Sequence, residues 1–209
     1  GPDDGDGLWS NPLINTEYKC SIEYIPVDGS EEDFQEDCKV ENHGFSSRFP
    51  QRMNKHNLRL TFTGEYGAAK LRHPLFPESP VETFNQLILR AFSTDSWALV
   101  SWSSDTRYRP NDSQYMRDVW MKESLLDMGQ PSSYGRYVHL YVNGLYFGLF
   151  DLTESVDDAF CEEHFGGERE DWTVAKDFSG VPACWNTILN TDISTLVGYE
   201  QIQNCIDAE

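Results

Sequence analysis

The sequence predicts an α+β fold with an antiparallel sheet and packed helices. Strand-like segments come first, a helix and a hairpin follow, and helical segments come last, so the order is not that of a βαβ repeat. The clearest local signal is Asn143-Gly144 between two apolar runs, because this dipeptide favours a two-residue hairpin turn. The 209 residues, 13% of them aromatic, are enough to bury a core.

Four strands are predicted in the first half of the chain. Residues 18–25 alternate in polarity, and residues 38–43 form the candidate partner strand. The acidic stretch between them, residues 31–37, is expected to be a solvated loop. Residues 57–63 alternate between polar and apolar positions, whereas residues 86–92 are mostly apolar and therefore typical of a central strand.

One amphipathic helix is predicted over residues 111–128. Asn111 or Asp112 can act as its N-cap, and Gly129 ends it. Apolar side chains recur at helical spacing and predict a stripe that faces the core. Much of the stripe is formed by Met116, Val119, Trp120 and Leu126.

The second half of the chain also predicts a hairpin and several shorter elements. Residues 136–142 and 145–152 are the two strands on either side of Asn143-Gly144. Gly166-Gly167 ends a predicted helix over residues 156–164. The remaining elements are a short strand over residues 172–175 and helices over residues 182–190 and 199–208.

The charge and hydropathy of the chain exclude several classes of partner. Its net charge is −19, from 35 acidic and 16 basic residues, which repels nucleic acids and anionic membranes. No apolar run reaches the roughly 18 residues of a membrane span. The acidic surplus suits a soluble protein, and it also raises the alternative of a calcium-binding protein.

Residues 1–16 are expected to be a flexible acidic leader ahead of a single domain, residues 17–209. Gly1-Pro2 resembles the residue pair that a protease leaves after removal of a tag. The start of a calcium loop is suggested by Asp3-Asp4-Gly5-Asp6-Gly7. However, Ile14 or Asn15 occupies the position of the glutamate that an EF-hand requires, so a specific calcium site is not favoured there.

Five cysteines are consistent with a secreted, extracellular or cell-envelope location. None lies in a Cys-x-x-Cys pair or at zinc-finger spacing, which argues against structural zinc. Two disulfides with one cysteine left over would suit a secreted chain. Cys20 and Cys38 lie on neighbouring predicted strands and form the first candidate pair. Cys161 with Cys184 or Cys205 forms the second.

Several motifs occur in an order and spacing that resemble the CotH family of spore-coat and secreted proteins. The most specific is the hairpin at residues 138–150, Val-His-Leu-Tyr-Val-Asn-Gly-Leu-Tyr-Phe-Gly-Leu-Phe, followed by Glu154. Tyr115-Met116-Arg117-Asp118 resembles the family's helix start, and residues 55–62 resemble its basic strand. The other similar segments are residues 64–71, 74–76, 87–91, 165–167, 170–171 and 185–186.

The resemblance implies an atypical protein-kinase-like fold of which this chain is the N-terminal, nucleotide-side half. It implies ATP with magnesium or manganese as cofactors, and phosphorylation of a secreted or coat protein as the function. The family's aspartates for catalysis and metal binding lie in downstream segments that have no recognisable counterpart here. We therefore expect a cut or naturally short chain without the C-terminal catalytic half, in which catalytic residues cannot be assigned.

Five residues are the candidate nucleotide site that the resemblance implies. Lys55 is the candidate lysine for the phosphates, and Arg59, Arg90 and Arg117 could line an anion pocket. Glu154 could pair with a lysine or hold the metal ion. The alternative is that they are ordinary surface residues and a carboxylate at the end of a hairpin.

A second function class is a secreted, non-catalytic module that binds a protein or a glycan. Trp97, Trp102 and Tyr108 lie in a polar, irregular stretch, and exposed aromatic side chains in a loop can anchor a partner. The alternative is that these rings cover the core from outside.

Overall fold

The computed structural model describes residues 16–44, 48, 53–99, 109–172 and 174. Backbone contacts divide the chain into two units, residues 1–169 and 170–209. All the strands and both α-helices named below belong to the first unit. Their mixture of an antiparallel sheet with a few helices confirms the predicted α+β class.

The first unit is built on a curled, six-stranded antiparallel sheet. The strands of this sheet are β1 (Tyr18–Tyr24), β2 (Phe34–His43), β3 (Asn57–Thr61), β6 (Gln86–Arg90), β7 (Gly135–Val142) and β8 (Leu145–Glu154). Two short strands, β4 (Leu71–Arg72) and β5 (Thr83–Phe84), lie outside it, and the two helices are α1 (Arg117–Asp127) and α2 (Asp158–Phe165). The large sheet has the order β1-β2-β3-β6-β8-β7, and β4 pairs with β5 separately.

The hairpin signal is confirmed by β7 and β8. Asn143 and Gly144 have φ angles of 50° and 79°, which is the left-handed region that a tight hairpin turn requires. The predicted central strand is also confirmed, because β6 pairs with β3 on one side and β8 on the other. It ends at Arg90, two residues before the predicted end, because the backbone turns at Phe92 with a φ of 61°.

The helix predicted over residues 156–164 is confirmed as α2, displaced by one or two residues. The Asp157 side chain accepts a hydrogen bond from the backbone N–H of Phe160 at 3.0 Å and so caps its N-terminus. Gly166 follows the last helical residue with a φ of 78°.

One face of the large sheet is buried against the chain segment that contains β4 and β5. The two faces differ because side chains alternate along each strand. The buried face carries Leu58, Leu60, Leu87, Leu89, Phe150 and Leu152, and the segment over it contributes Leu71, Leu75, Phe76, Val81 and Phe84. The opposite face is polar near its centre, where Arg90 of β6 lies directly opposite Asp151 of β8.

The prediction of a solvated loop over residues 31–37 is wrong at its C-terminal end. Strand β2 begins at Phe34 and pairs with β1 from Phe34 to Val40. Two cross-strand contacts stabilise the strand despite its acidic residues. The ring centroids of Phe34 and Tyr24 stack 5.6 Å apart, and Asp37 forms an ion pair with Lys19 at 2.8 Å.

The start and the packing of the predicted long helix also differ from expectation. Residues Pro110–Asp112 form a separate 3₁₀ turn, and α1 begins only at Arg117. The predicted apolar stripe is not buried, because Met116 and Trp120 are 49% and 58% exposed and α1 has no buried residue. The reason is that α1 approaches the polar face of the sheet, where it makes charged contacts.

Some predicted features lie outside the described residues. They are the leader up to residue 15, the helices over 182–190 and 199–208, and the residues Trp102, Tyr108, Cys184 and Cys205. Within the predicted strand over 172–175, the two described residues, Trp172 and Val174, are not in a strand. Among the residues that the structure describes, no helix is long and apolar enough to cross a membrane.

Candidate functional site

Four charged side chains link the polar face of the sheet to α1. Arg90 on β6 places its Nε 3.1 Å from Oδ2 of Asp118, in the first turn of α1. Lys122, one turn further along, places its Nζ 3.0 Å from the same oxygen and 3.3 Å from Oδ2 of Asp151 on β8. It also donates a hydrogen bond to Oγ1 of Thr153 at 3.1 Å. We call Arg90, Asp118, Lys122 and Asp151 the charged network.

Secondary structure explains why these four side chains meet. Asp118 and Lys122 are four residues apart, so they lie on the same face of α1. Arg90 and Asp151 are direct partners in the pairing of β6 with β8. The network therefore needs the strand pairing and the helix position at the same time.

Asp151 is the most deeply buried member of the network. It is 1% exposed, and burial raises the pKa of its carboxyl group, although the Lys122 ammonium opposes that change. Its Oδ1 accepts no hydrogen bond from any described residue. That oxygen lies close to Gly135, where an added Cβ would be only 2.7 Å away, so a side chain at residue 135 would have to displace the carboxylate.

The N-terminus of α1 is capped by a side chain that is distant in sequence. The buried Asp95 carboxylate accepts hydrogen bonds from the backbone N–H groups of Gln114, Met116 and Arg117 at 2.8, 3.1 and 3.1 Å. The Nε of Arg117 lies 3.6 Å from the same carboxylate. This arrangement corrects the prediction that Asn111 or Asp112 caps the helix.

Replacing Asp95 with alanine should lower the free energy of unfolding by about 2 kcal/mol, the upper end of the range for a lost N-cap. Three backbone donors would lose their acceptor at once. Urea unfolding followed by circular dichroism measures the change. Asp112→Ala is the matched control, because Asp112 is exposed and its side chain caps nothing. A larger loss for Asp112→Ala than for Asp95→Ala would contradict the assignment.

Lys55 lies at the same end of the sheet, among aromatic rings. Its Nζ donates a hydrogen bond to the backbone carbonyl of Leu149 and lies 4.0 Å from the ring centroid of Phe150 and 5.4 Å from that of Tyr115. Burial lowers the pKa of this amine to about 8. No carboxylate among the described residues forms an ion pair with it.

Tyr115 connects Lys55 to a group of aromatic side chains beside α1. Its ring centroid lies 4.9 Å from that of Phe92 and 4.8 Å from that of Trp97, and its hydroxyl group lies 2.7 Å from Oγ of Ser96. Tyr115 and Phe92 have φ angles of 60° and 61°, which are uncommon for residues with side chains. Such strain is often found at functional sites.

The three candidate arginines have separate carboxylate partners. Arg90 pairs with Asp118 and Arg117 with Asp95, so both lie at the start of α1. Arg59 lies on β3 and pairs with Glu41 at 3.1 Å. Its guanidinium group also contacts Nδ1 of His43 at 2.8 Å. The structure therefore brings Lys55, Arg90 and Arg117 to one end of the sheet and leaves Arg59 outside this group.

Glu154 occupies a different environment at the end of β8. Its Oε1 lies 2.8 Å from Nε2 of His164 on α2, and its Oε2 accepts a hydrogen bond from the backbone N–H of Tyr134 at 2.8 Å. These contacts hold α2 against the hairpin. A small pocket of about 20 Å³ beside this pair has room for about one water molecule.

Three residues of the site were missed by sequence reasoning, namely Asp95, Lys122 and Asp151. Asp151 did leave a signal, because a carboxylate inside the apolar run Leu149-Phe150-Asp151-Leu152 is rarely buried without a partner. The spacing of Asp118 and Lys122 also predicts an ion pair on one helix face. Asp95 contacts backbone groups about 20 residues further along the chain, so no local sequence pattern indicated its role.

Together, the antiparallel sheet, the Asn-Gly hairpin and the charged network define the class of protein, an α+β domain with a charged junction between its sheet and a helix. The family model described as CotH kinase protein matches residues 42–199, which is more than half of the chain. The chain therefore belongs to the CotH family. No curated protein matches it.

The candidate site offers cations for an anionic ligand but not a ligand set for a metal ion. Among the residues that the structure describes, no group of three or more His, Cys, Asp and Glu side chains is placed to hold a metal. Arginine and lysine side chains such as Arg90 and Lys55 are common binding groups for phosphate. We therefore assign no described residue as a ligand of magnesium, manganese or calcium.

Proposed function

We propose that this chain binds the phosphates of ATP beside α1 and that this binding serves the phosphorylation of a secreted or coat protein. The observation that supports the proposal best is the ion pair between Arg90 on β6 and Asp118 on the following helix. Protein kinases use a similar device, in which a lysine on a strand is held by a glutamate on a helix and contacts the phosphates. Here an arginine and an aspartate would take these two places.

The electrostatics of the charged network suit this role. Arg90 uses its Nε for Asp118, and its side chain is 38% exposed, so an incoming anion can reach the guanidinium group. A guanidinium group presents several N–H donors in one plane and binds phosphate oxygens in pairs. Because Lys122 also contacts Asp118, that carboxylate is shared by two cations and does not occupy Arg90 alone.

Lys55 would supply a second cation at the same end of the sheet. A phosphate nearby would favour the charged form of its amine, whose pKa is lowered by burial. Phosphoryl transfer depends mainly on positioning and charge neutralisation, so fixed cations of this kind carry much of the function. A divalent cation would add neutralisation at the phosphates.

The test is a thermal-shift titration of the whole chain with ATP, with and without magnesium or manganese. ATP should raise the melting temperature, because a ligand that binds only the folded state stabilises it. Arg90→Ala and Lys55→Ala should each weaken binding by about tenfold or more, the value of one charge-assisted contact. The control is Arg72→Ala, which changes an exposed arginine on β4.

Two results would contradict the proposal. One is the absence of any shift in the parent protein at millimolar ATP. The other is a parent-like affinity in both Arg90→Ala and Lys55→Ala, since ATP would then bind elsewhere.

A second candidate function is the binding of a protein or glycan through aromatic side chains. Trp97 supports it, because its ring is 67% exposed and lies against Tyr115. Such an aromatic surface can anchor a partner or the face of a sugar. Quenching of tryptophan fluorescence by soluble glycans, lost in Trp97→Ala and retained in Arg90→Ala, would favour this function over nucleotide binding.

A further inference from the structure

Cys20 and Cys38 are directly opposite each other in neighbouring antiparallel strands. They are paired in the register of β1 with β2, and their sulfur atoms lie 3.4 Å apart. Both side chains point to the buried face of the sheet: Cys38 belongs to the hydrophobic core, and Cys20 packs against it. The structure contains both as free thiols.

The backbone geometry already permits a bond between them. Opposed residues in an antiparallel pair have Cα atoms about 4.5–5.5 Å apart, which lies within the range that disulfides span. Only small side-chain rotations are needed to bring the sulfurs to the bonding distance of about 2 Å. The strands need not separate or shift in register.

The two thiols are also unequal in a way that suits exchange chemistry. The hydrogen bond from Cys38 lowers the pKa of the Cys20 thiol, and the same contact together with burial raises the pKa of Cys38. Cys20 is half-buried, whereas Cys38 is fully buried. Cys20 is therefore the group that an external reagent reaches first.

We propose that Cys20 and Cys38 are an oxidisable pair, which an external disulfide converts into a covalent cross-strand bond between β1 and β2. The Cys20 thiolate attacks a sulfur of the external disulfide, expels one thiolate and forms a mixed disulfide. Cys38, once deprotonated, attacks the Cys20 sulfur and expels the second. The pair loses two electrons and two protons, and the external disulfide gains both and becomes two thiols.

The bond would stabilise the β1-β2 hairpin, and this hairpin also contacts the strand at the other edge of the sheet. The turn between β1 and β2 contains Glu31, which makes a two-point ion pair with Arg136 of β7 at 2.7 and 3.1 Å. Tyr24, at the end of β1, also donates a hydrogen bond to Glu31 at 2.7 Å. Because β1 and β7 are the outer strands of the described sheet, the hairpin that the bond would close also joins the two edges of the curled sheet.

The first test is to incubate the folded protein with oxidised glutathione, alkylate the remaining thiols in denaturant and map the peptides by mass spectrometry. A peptide that joins Cys20 to Cys38, with the loss of two hydrogens, is the expected product. Free Cys20 and Cys38 after full oxidation, or bonds from them to other cysteines, would overturn the proposal. This measurement needs no variant.

The second test is the melting temperature of the oxidised protein with and without a reductant. Reduction should lower it by about 6–12 °C, the effect of opening a loop of this length in a domain of this size. Cys161→Ser should keep that difference, whereas Cys20→Ser and Cys38→Ser should abolish it. A cross-linked protein whose melting temperature does not respond to reduction would overturn the inferred fixing of the sheet edge.

Discussion

Replacing Lys122 with methionine should lower the free energy of unfolding by about 3–5 kcal/mol, the cost of leaving one partner of a buried ion pair alone. Asp151, which is 1% exposed, would lose the only ammonium group that contacts it among the described residues. Methionine preserves most of the length of the lysine side chain, so the loss would be mainly electrostatic. Urea unfolding at neutral pH measures it.

Two controls separate this electrostatic cause from lost packing. The double variant Lys122→Met with Asp151→Asn should recover much of the lost stability, because no buried charge remains. The pH dependence should also change. In Lys122→Met the pKa of Asp151 should rise further, so its protonation at lower pH favours the folded state and the deficit relative to the parent should shrink. A deficit that is small at neutral pH would contradict the assignment.

The local parts of the fold could be predicted because their causes are local. The turn at Asn143-Gly144 depends on which residues accept positive φ, and the alternation in residues 57–63 depends on one strand facing one core. The helix after β8 was predicted with Gly166-Gly167 as its end, and the structure shows that its start is also set locally, by the Asp157 cap.

The charged network could not be predicted because its contacts depend on distant parts of the chain. Arg90 and Asp151 are opposite each other only because β6 pairs with β8, and Lys122 reaches Asp151 only because α1 lies over that pair. A pattern within one segment carries no information about strand order. The candidate residues Arg90 and Arg117 came from the family resemblance, but their partners Asp118 and Asp95 came from the structure.

The apolar stripe of α1 shows how a sound local pattern can mislead. Its spacing correctly predicts a helix, but helical spacing does not say what surface the helix meets. The sheet face under α1 carries Arg90, Asp151 and Thr153, so the contact is made by Lys122 and Asp118. Met116 and Trp120 therefore stay exposed within the described structure.

Replacing Phe150 with alanine should lower the free energy of unfolding by about 3–5 kcal/mol, the usual cost of truncating a fully buried phenylalanine. Phe150 is 0% exposed and belongs to the core, and its ring also faces the ammonium group of Lys55 at 4.0 Å. Phe62→Ala is the matched control, because Phe62 is equally part of the core and has no contact with Lys55. Urea unfolding compares the two variants.

The same pair of variants tests what holds the pKa of Lys55 near 8. If the ring of Phe150 shields the amine from water, Phe150→Ala should raise that pKa towards the ordinary lysine value of 10.5, while Phe62→Ala should not. The rate of Lys55 modification by an amine-reactive reagent at pH 8, measured by peptide mass spectrometry, should then fall in Phe150→Ala alone. An equal rate in both variants would mean that Leu149 and Tyr115, rather than Phe150, define the environment of Lys55, and the cation that we assign to ATP would be positioned by the hairpin backbone and the start of α1.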